Sequence, residues 1–433
     1  MRVRFFQTGY VLVFLLITAA CGAEPSNEKA ESEEGLDEQE PVTVTIATTY
    51  DSEWLEEMKP QIEEELPHIT IEFMEMPFVD QDEFTDAVFT GHIPDIIPAQ
   101  EQRRDFMLMR DFELEYDFEY IIKEKDFDLS VYDEEIIESF RNATPTGGIV
   151  ALPHQSNYFA LHYNKDIFDR FGVDYPNESM TWFEVLDLAA ELTREEDGVE
   201  YYGFSFNSWL AWFIFTQFEQ NFIDPDTNEV NVTQSEAIDQ IFRMLERYAS
   251  IPGNVPNGEW GGTFEDGNVA MDAGWARTWA VEEGIEGVNF DFAPFPTWEE
   301  NKGIGVEPNA TAWMITSTSE HKEAAFDVLA YITSPEARLP EIRKGRVPAF
   351  ADPEIRDQFL ADVEGAENYH LEALYALTPS AGPPEISRFE NNAPLREMME
   401  KYVLEHQGED PTSFLREVET VIENYVIEQE KLQ

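Results

Sequence analysis

Residues 151–182 read ALPHQSNYFALHYNKDIFDRFGVDYPNESMTW, and the organisation of the whole chain turns on this stretch. At its end, Thr181-Trp182-Phe183-Glu184 forms a capping box, in which the threonine oxygen accepts from the Glu184 amide while the Glu184 side chain reaches back. The helix it opens places Trp182, Val185, Leu186, Ala189 and Leu192 inward. Upstream, Val42-Thr43-Val44-Thr45-Ile46 alternates β-branched residues and reads as a buried strand. A helix with Trp54, Leu55, Met58 and Ile62 on one face follows, kinked or cut short at Pro60. Ile69 to Phe73 is a second strand, Asp82 to Thr90 a second helix closed by Gly91, and Asp95-Ile96-Ile97 a third strand. Downstream, a helix beginning near Ser319 buries Ala325, Val328, Leu329 and Ile332 and stops before Pro335. Strands alternating with helices imply an α/β fold with parallel sheets covered on both faces. At 433 residues the chain exceeds what one hydrophobic core organises, and a hydrophobic content of 42% allows two lobes a core each.

The ordered string Leu152-Pro153, Tyr158, Leu161, Tyr163-Asn164-Lys165-Asp166, Phe171-Gly172-Val173 and Thr181-Trp182 resembles the extracellular solute-binding proteins of the maltose-binding type, often called family 1. Four other stretches fall in that family's order. They are Gly91 to Ile97, Phe264 to Met271 with Gly274-Trp275, Phe292 to Pro296, and Ser319 to Glu336. The box around Cys21 resembles a lipoprotein processing site, with Thr18 where leucine is usual. The resemblance implies a two-lobed periplasmic-binding-protein-like fold, each lobe a mostly parallel sheet flanked by helices, joined by a multi-strand hinge. It places the crossings near Pro153 to Tyr158, Phe292 to Pro296 and Thr333 to Pro335. Lobe one is then residues 41–156 with 293–333, and lobe two 157–292 with 334–433. It further implies a cleft that closes on a small solute and reports closure to the permease of an ABC importer.

The N-terminus fits that setting. Arg2 and Arg4 precede an apolar run from Val11 to Ile17, small residues follow, and Cys21 is the only cysteine. The run is shorter than the roughly 20 residues of a spanning helix, so residues 1–21 read as an export signal ending in a lipid-bearing Cys21. Residues 22–40 are dominated by Glu, Asp and Ser and read as a disordered acidic tether. The expected location is the extracytoplasmic face of the cell membrane, held by the lipid alone, with the chain a monomer.

The chain carries 89 acidic against 28 basic residues, a formal charge of -61. A field of that sign repels phosphates, which makes nucleic acid and anionic lipid surfaces poor partners, and no nucleic-acid partner is expected. The acids are spread along the chain, which reads as adaptation to salt or alkali rather than as one cationic site.

A sugar presents hydroxyl edges and flat C–H faces, so its site wants aromatic plates beside carboxylates and amides, and nine tryptophans are available. Carried over position by position, the resemblance gives Asp51, Gln100, Glu101, Gln102 and Asn157 in lobe one and at the hinge. Across the cleft it gives Asn207, Trp209, Trp275, Arg388 and Phe389. Plainer roles compete: Asp51 can cap a helix, Glu101 is one acid among 89, and Trp209, Trp212 and Phe213 sit at near-helical spacing that suits a core. Trp275 follows a glycine in a loop-like position, which favours the site, while Trp260 and Trp279 suit either role. The ligand is read as a carbohydrate, an oligosaccharide, with a polyamine or other solute on the same fold as the alternative.

No G-x-S-x-G elbow, HExxH metal motif or Walker loop occurs, which argues against the rival reading of a surface polysaccharide hydrolase. Asp224 to Asn228 begins like a calcium loop, but Glu229 stands where glycine is needed, so a polar hairpin turn is expected. The seven histidines lack ligand spacing, and neither a metal nor a cofactor is expected.

Overall fold

The computed structural model describes residues 40–48, 53–76, 81–99, 102–205, 210–255, 263–383, 385–406 and 409–431. Cys21 and nearly all of the acidic segment after it lie outside these residues.

The strands are β1 Val42–Thr48, β2 Ile69–Glu75, β3 Ile96–Ala99, β4 Ala151–Ser156 and β5 Phe159–Asn164. The remaining strands are the short hairpin β6 Arg194–Glu196 and β7 Val199–Tyr201, then β8 Met271–Trp275, β9 Phe290–Pro294 and β10 Ala310–Ile315. The helices of the first half are α1 Glu53–Glu65, α2 Gln81–Phe89, α3 Gln102–Asp111, α4 Glu119–Glu124, α5 Glu134–Asn142, α6 Lys165–Phe171 and α7 Trp182–Leu192. Those of the second half are α8 Ala211–Thr216, α9 Glu236–Ala249, α10 Trp279–Glu283, α11 Lys322–Ile332, α12 Pro335–Arg343, α13 Pro353–Arg356, α14 Leu395–Glu405 and α15 Pro411–Lys431.

Five strands form one sheet in the order β2-β1-β3-β10-β4, with β1, β2 and β3 parallel and β10 antiparallel to both its neighbours. Alternation puts Val44, Ile46, Ile71, Leu152 and Trp313 on one face with Leu55, Ile62 and Leu329. Ala47, Ile97 and Met314 lie on the other with Phe84, Phe106 and Phe140. Pro60 does not end α1, which runs from Glu53 through to Glu65. Pro60 is exposed while Leu55 and Ile62 are fully buried, so the packed face outlasts one missing backbone donor on the solvent side.

The strands β8-β5-β9 of the second sheet pair antiparallel, unlike the mostly parallel arrangement expected, while Tyr202 and Ser205 bridge parallel to Val269 and Asp272 at the β8 edge. β5 enters from the first lobe, and β9 runs back along it so that Pro294 lies opposite Ala160 at the start of β5. Along β5, Leu161 and Tyr163 join the core with Trp182, Leu186, Phe242 and Tyr402, while Ala160 joins Phe264, Phe290 and Phe292 on the opposite face. The capping box at α7 is present on both sides, and all five of its anticipated inward residues are buried. Gly172 ends α6 in the left-handed conformation at φ 66°. Asp224 accepts from the amides of Asp226 and Thr227, closing the hairpin that Ile223 and Val230 bridge.

Two crossings differ from the expected places. The segment 290–309 stays with the second lobe, because Phe292 and Ala293 pair with β5 and Phe295 and Trp298 fill its core. The chain therefore crosses just before β10. The third crossing follows α13 instead of α11. Ser334 caps α12 by accepting from Ala337 N, and Pro335 takes the first turn, where its missing N–H costs nothing. The chain thus starts another helix on the first lobe, placing Ala337, Ile342 and Phe350 in its core. Leu360 and Val363 lie in the second lobe's core, and Phe359 packs against both.

Candidate functional site

Ser156 to Phe159 carries the chain from β4 into β5 at the edge of the first sheet where β1 and β3 also end. Ends of strands in α/β sheets are where ligand-binding loops collect. Here two crossings lie side by side: Asn157 N donates to Asn309 O at 2.9 Å, and Asn157 Nδ2 donates to Asn309 Oδ1 at 2.7 Å and to Thr311 Oγ1 at 3.3 Å. A third segment joins through Ser156 N, which donates to Val347 O at 3.0 Å.

Asn157 and Tyr158 line two cavities. One, of about 240 Å³, adds Asn309, Glu307, Arg356 and Tyr375. The other, of about 340 Å³, adds Trp275 and Trp279 from the second lobe and Lys344 and Arg346 from the first. In the smaller cavity Arg356 pairs with Asp133 across the α5 N-terminus, so its charge is neutralised locally. Tyr158 meets Tyr375 edge-on at 4.9 Å, and burial pushes its hydroxyl well above the usual tyrosine range, leaving it a phenol that can donate.

Trp275 stands at the end of β8, 39% exposed, with Phe159 and Phe213 edge-on at 6.4 and 6.2 Å. A ring braced by two others and 39% exposed has the geometry for stacking on a flat face. The next residue, Ala276, donates from its amide to Tyr158 O at 2.8 Å, tying the ring to the hinge. Thr278 Oγ1 then donates to Gly345 O at 2.8 Å, linking the second lobe to the first. Gly345 has φ 114°, and a Cβ there would lie 2.9 Å from Leu360 Cδ2 and 3.2 Å from Thr278 O, so only glycine permits this approach.

On the first lobe, Trp54 stacks on His154 at 5.5 Å and meets Trp313 edge-on at 6.1 Å, and the Arg338 guanidinium covers it at 4.2 Å. Burial, with Arg338 and Arg346 nearby, holds His154 well below the usual histidine range and therefore uncharged.

Of the residues singled out in the sequence, Asn157 and Trp275 come together on the larger cavity. Asp51, Gln100, Glu101, Asn207, Trp209 and Trp260 lie outside the described residues, and Gln102 opens α3 with its side chain outside the description. Phe389 is 3% exposed within the second core and lines neither cavity, because the segment before α14 turns its ring inward. Arg388 is exposed, with its guanidinium 4.8 Å from the Phe389 ring centre. Phe213 is likewise core, whereas Trp279, 47% exposed, lines the larger cavity. Asn309, Glu307, Lys344 and Arg346 were not anticipated. Asn309 meets Asn157 only across 152 residues of chain, which leaves no local pattern to read.

Among the described residues no helix is long and apolar enough to cross a membrane, and no group of three potential metal ligands occurs.

A sequence profile described as bacterial extracellular solute-binding protein matches residues 113–339. The sn-glycerol-3-phosphate-binding periplasmic protein UgpB of Rhizobium meliloti (strain 1021) is 25% identical over 232 residues, covering 50% of this chain and 53% of that protein. The arabinooligosaccharide-binding protein of Halalkalibacterium halodurans is 25% identical over 214 residues, covering 46% of this chain and 47% of that one. The chain thus spans about half the length of the curated relatives it matches. Among solved structures, an ABC substrate-binding protein from Listeria monocytogenes in complex with cycloalternan superposes with TM-score 0.68 at 21% identity, over 89% of this chain and 99% of that one. UgpB from Mycobacterium tuberculosis in complex with glycerophosphocholine gives TM-score 0.68 at 16% identity, over 90% and 99%. At these identities the two superpositions establish a shared fold.

Proposed function

The chain belongs to the bacterial extracellular solute-binding protein family, and from that premise we propose that it captures a carbohydrate, an oligosaccharide, between its lobes and delivers it to the permease of an ABC importer. The observation that carries this reading is the cavity of about 340 Å³ shared by Asn157, Trp275 and Trp279 and lined by residues of both lobes. Its volume falls at the lower end of the roughly 300–1,000 Å³ of ligand pockets. Tryptophan faces suit the C–H faces of a pyranose, and Asn157, Glu282 and Arg346 supply hydroxyl partners of both kinds. The arabinooligosaccharide-binding relative and the cycloalternan-bound neighbour support the same ligand class.

A solute touching both lobes binds the closed form better than the open one and so shifts the equilibrium toward it. The permease then reads closure, not the solute alone. The chain performs no chemistry on its ligand. Cys21 carries the lipid that holds a monomer to the extracytoplasmic membrane face, and residues 1–20 are removed on export.

A phosphate-bearing polyol is the second reading. Lys344 and Arg346 line the same cavity, and the glycerol-3-phosphate-binding relatives support it. A thermal-shift panel of arabino- and malto-oligosaccharides, polyamines and glycerol 3-phosphate separates these cases. A solute at 100 times its Kd contributes about 2.7 kcal/mol to the folded state, a rise of several degrees in Tm. The carbohydrate reading predicts that rise with an oligosaccharide. A response to glycerol 3-phosphate or a polyamine alone would replace it.

A further inference from the structure

His162 is fully buried at the centre of the second sheet, opposite Asp272 on β8 and Phe292 on β9. Both ring nitrogens are engaged: Nε2 lies 3.0 Å from the Arg277 amide nitrogen, and Nδ1 lies 3.1 Å from the Asp272 carbonyl oxygen. An amide N–H can only donate, so Nε2 must be the bare nitrogen and the single proton sits on Nδ1, donating to Asp272 O. Arg277 Nη1, also 3.1 Å from Nδ1, carries two N–H groups: one donates to the Asp272 carboxylate, and with Nδ1 protonated the other makes no bond to the ring, while Arg277 Nε donates to Glu265 at 2.8 Å.

Arg277 lies between Trp275 and Trp279, the two aromatic faces of the larger cavity. The turn between them has three anchors. Ala276 N is held by Tyr158 O, Arg277 N by His162 Nε2, and Thr278 Oγ1 reaches Gly345 on the other lobe. The first and last tie the turn to the hinge and to the first lobe. The middle one, together with the Arg277 side-chain bonds to the Asp272 and Glu265 carboxylates, fixes it to its own lobe.

From this arrangement we infer that His162 is a positioning residue for ligand capture: its bare Nε2 holds the Arg277 amide and thereby sets the turn that presents Trp275 and Trp279. That the turn serves capture rests on the proposed function; the anchoring itself does not. The charged groups facing the ring are Arg277, Asp272 and Glu265, with Phe264 and Phe292 covering the remainder. Burial, reinforced by the Arg277 guanidinium and opposed by the bond to Asp272 O, holds the imidazole well below the usual histidine range, which keeps it neutral as the anchor requires. A second proton would set Nε2–H against the Arg277 N–H, two donors facing each other, and the anchor would be lost.

The test needs no ligand, so it stands apart from the sugar reading. In the full-length wild-type protein, nitrogen NMR of the imidazole should report the proton on Nδ1; a proton on Nε2 overturns the inference. Amide exchange should then be followed in His162→Leu, which fills the space without an acceptor, and in His162→Gln, whose side-chain carbonyl can reach the Nε2 position. The Arg277 amide should exchange about tenfold faster or more in H162L and return toward wild type in H162Q, while amides of β5 and β9 keep their protection. Unchanged Arg277 exchange in folded H162L, or uniform loss across the sheet in both variants, would count against it. Should H162L not fold, the wild-type tautomer decides alone.

Discussion

Trp275 is held from behind by Phe159 and Phe213 and leaves 39% of its surface open, so its ring is arranged without occupying a core. Trp275→Ala should therefore weaken ligand binding about tenfold, the scale of one lost aromatic stacking partner, while Tm changes little. Isothermal calorimetry with whichever oligosaccharide raises Tm reads the first effect and a melting curve the second. Unchanged affinity would remove the residue from the site. Trp182, by contrast, is fully buried, and its Nε1 donates to Gln217 Oε1 at 3.1 Å, so the same residue type there is structural. The sequence places Trp275 after a glycine in a loop-like position, where the structure has it as the last residue of β8, and Trp182 first in an amphipathic helix, as found. It did not separate Arg388-Phe389, where the stretch looked like a cleft loop but Phe389 completes a core.

Elements whose local signals agree were readable in detail. The capping box of α7 satisfies two amides at once: Glu184 N donates to Thr181 Oγ1 at 3.3 Å, and Thr181 N donates to Glu184 Oε2 at 2.7 Å. Thr181→Ala should cost about 1 kcal/mol of unfolding free energy, measured by denaturant titration. The bond from the Thr181 amide, opposed by partial burial and aided by the Thr181 hydroxyl, holds the Glu184 carboxyl below its ordinary value. A folded pKa below the unfolded one contributes stability that is present above the unfolded value of about 4.3 and is lost as pH falls through the folded value. The gap between wild type and Glu184→Gln should accordingly be open at neutral pH and close in acid; a gap independent of pH would mean the charge contributes nothing. Pro60 shows the limit of local reading, since a residue that breaks isolated helices is tolerated where the opposite face packs on a sheet.

Across the whole molecule, 89 acidic side chains against 28 basic ones repel each other in the folded state. The Debye length shrinks from about 30 Å at 0.01 M salt to about 3 Å at 1 M, so added sodium chloride should raise Tm steadily over that range. A flat or falling Tm would show that the acids are not under net strain. The amino-acid order alone determined the α/β class, the membership of a two-lobed binding family, the existence and inward faces of α7 and α11, and the pairing of Asn157 with Trp275 as candidates. The first three rest on periodicity, caps or a long ordered motif acting within about thirty residues, whereas Asn157 and Trp275 came as candidates from the family resemblance matched position by position. Only the tertiary structure decided where the chain crosses between lobes, that β8, β5 and β9 pair antiparallel, that Asn309 meets Asn157, and that His162 anchors Arg277. Those depend on contacts across more than a hundred residues, whose energies are settled by which surfaces are left to pack once the local elements exist.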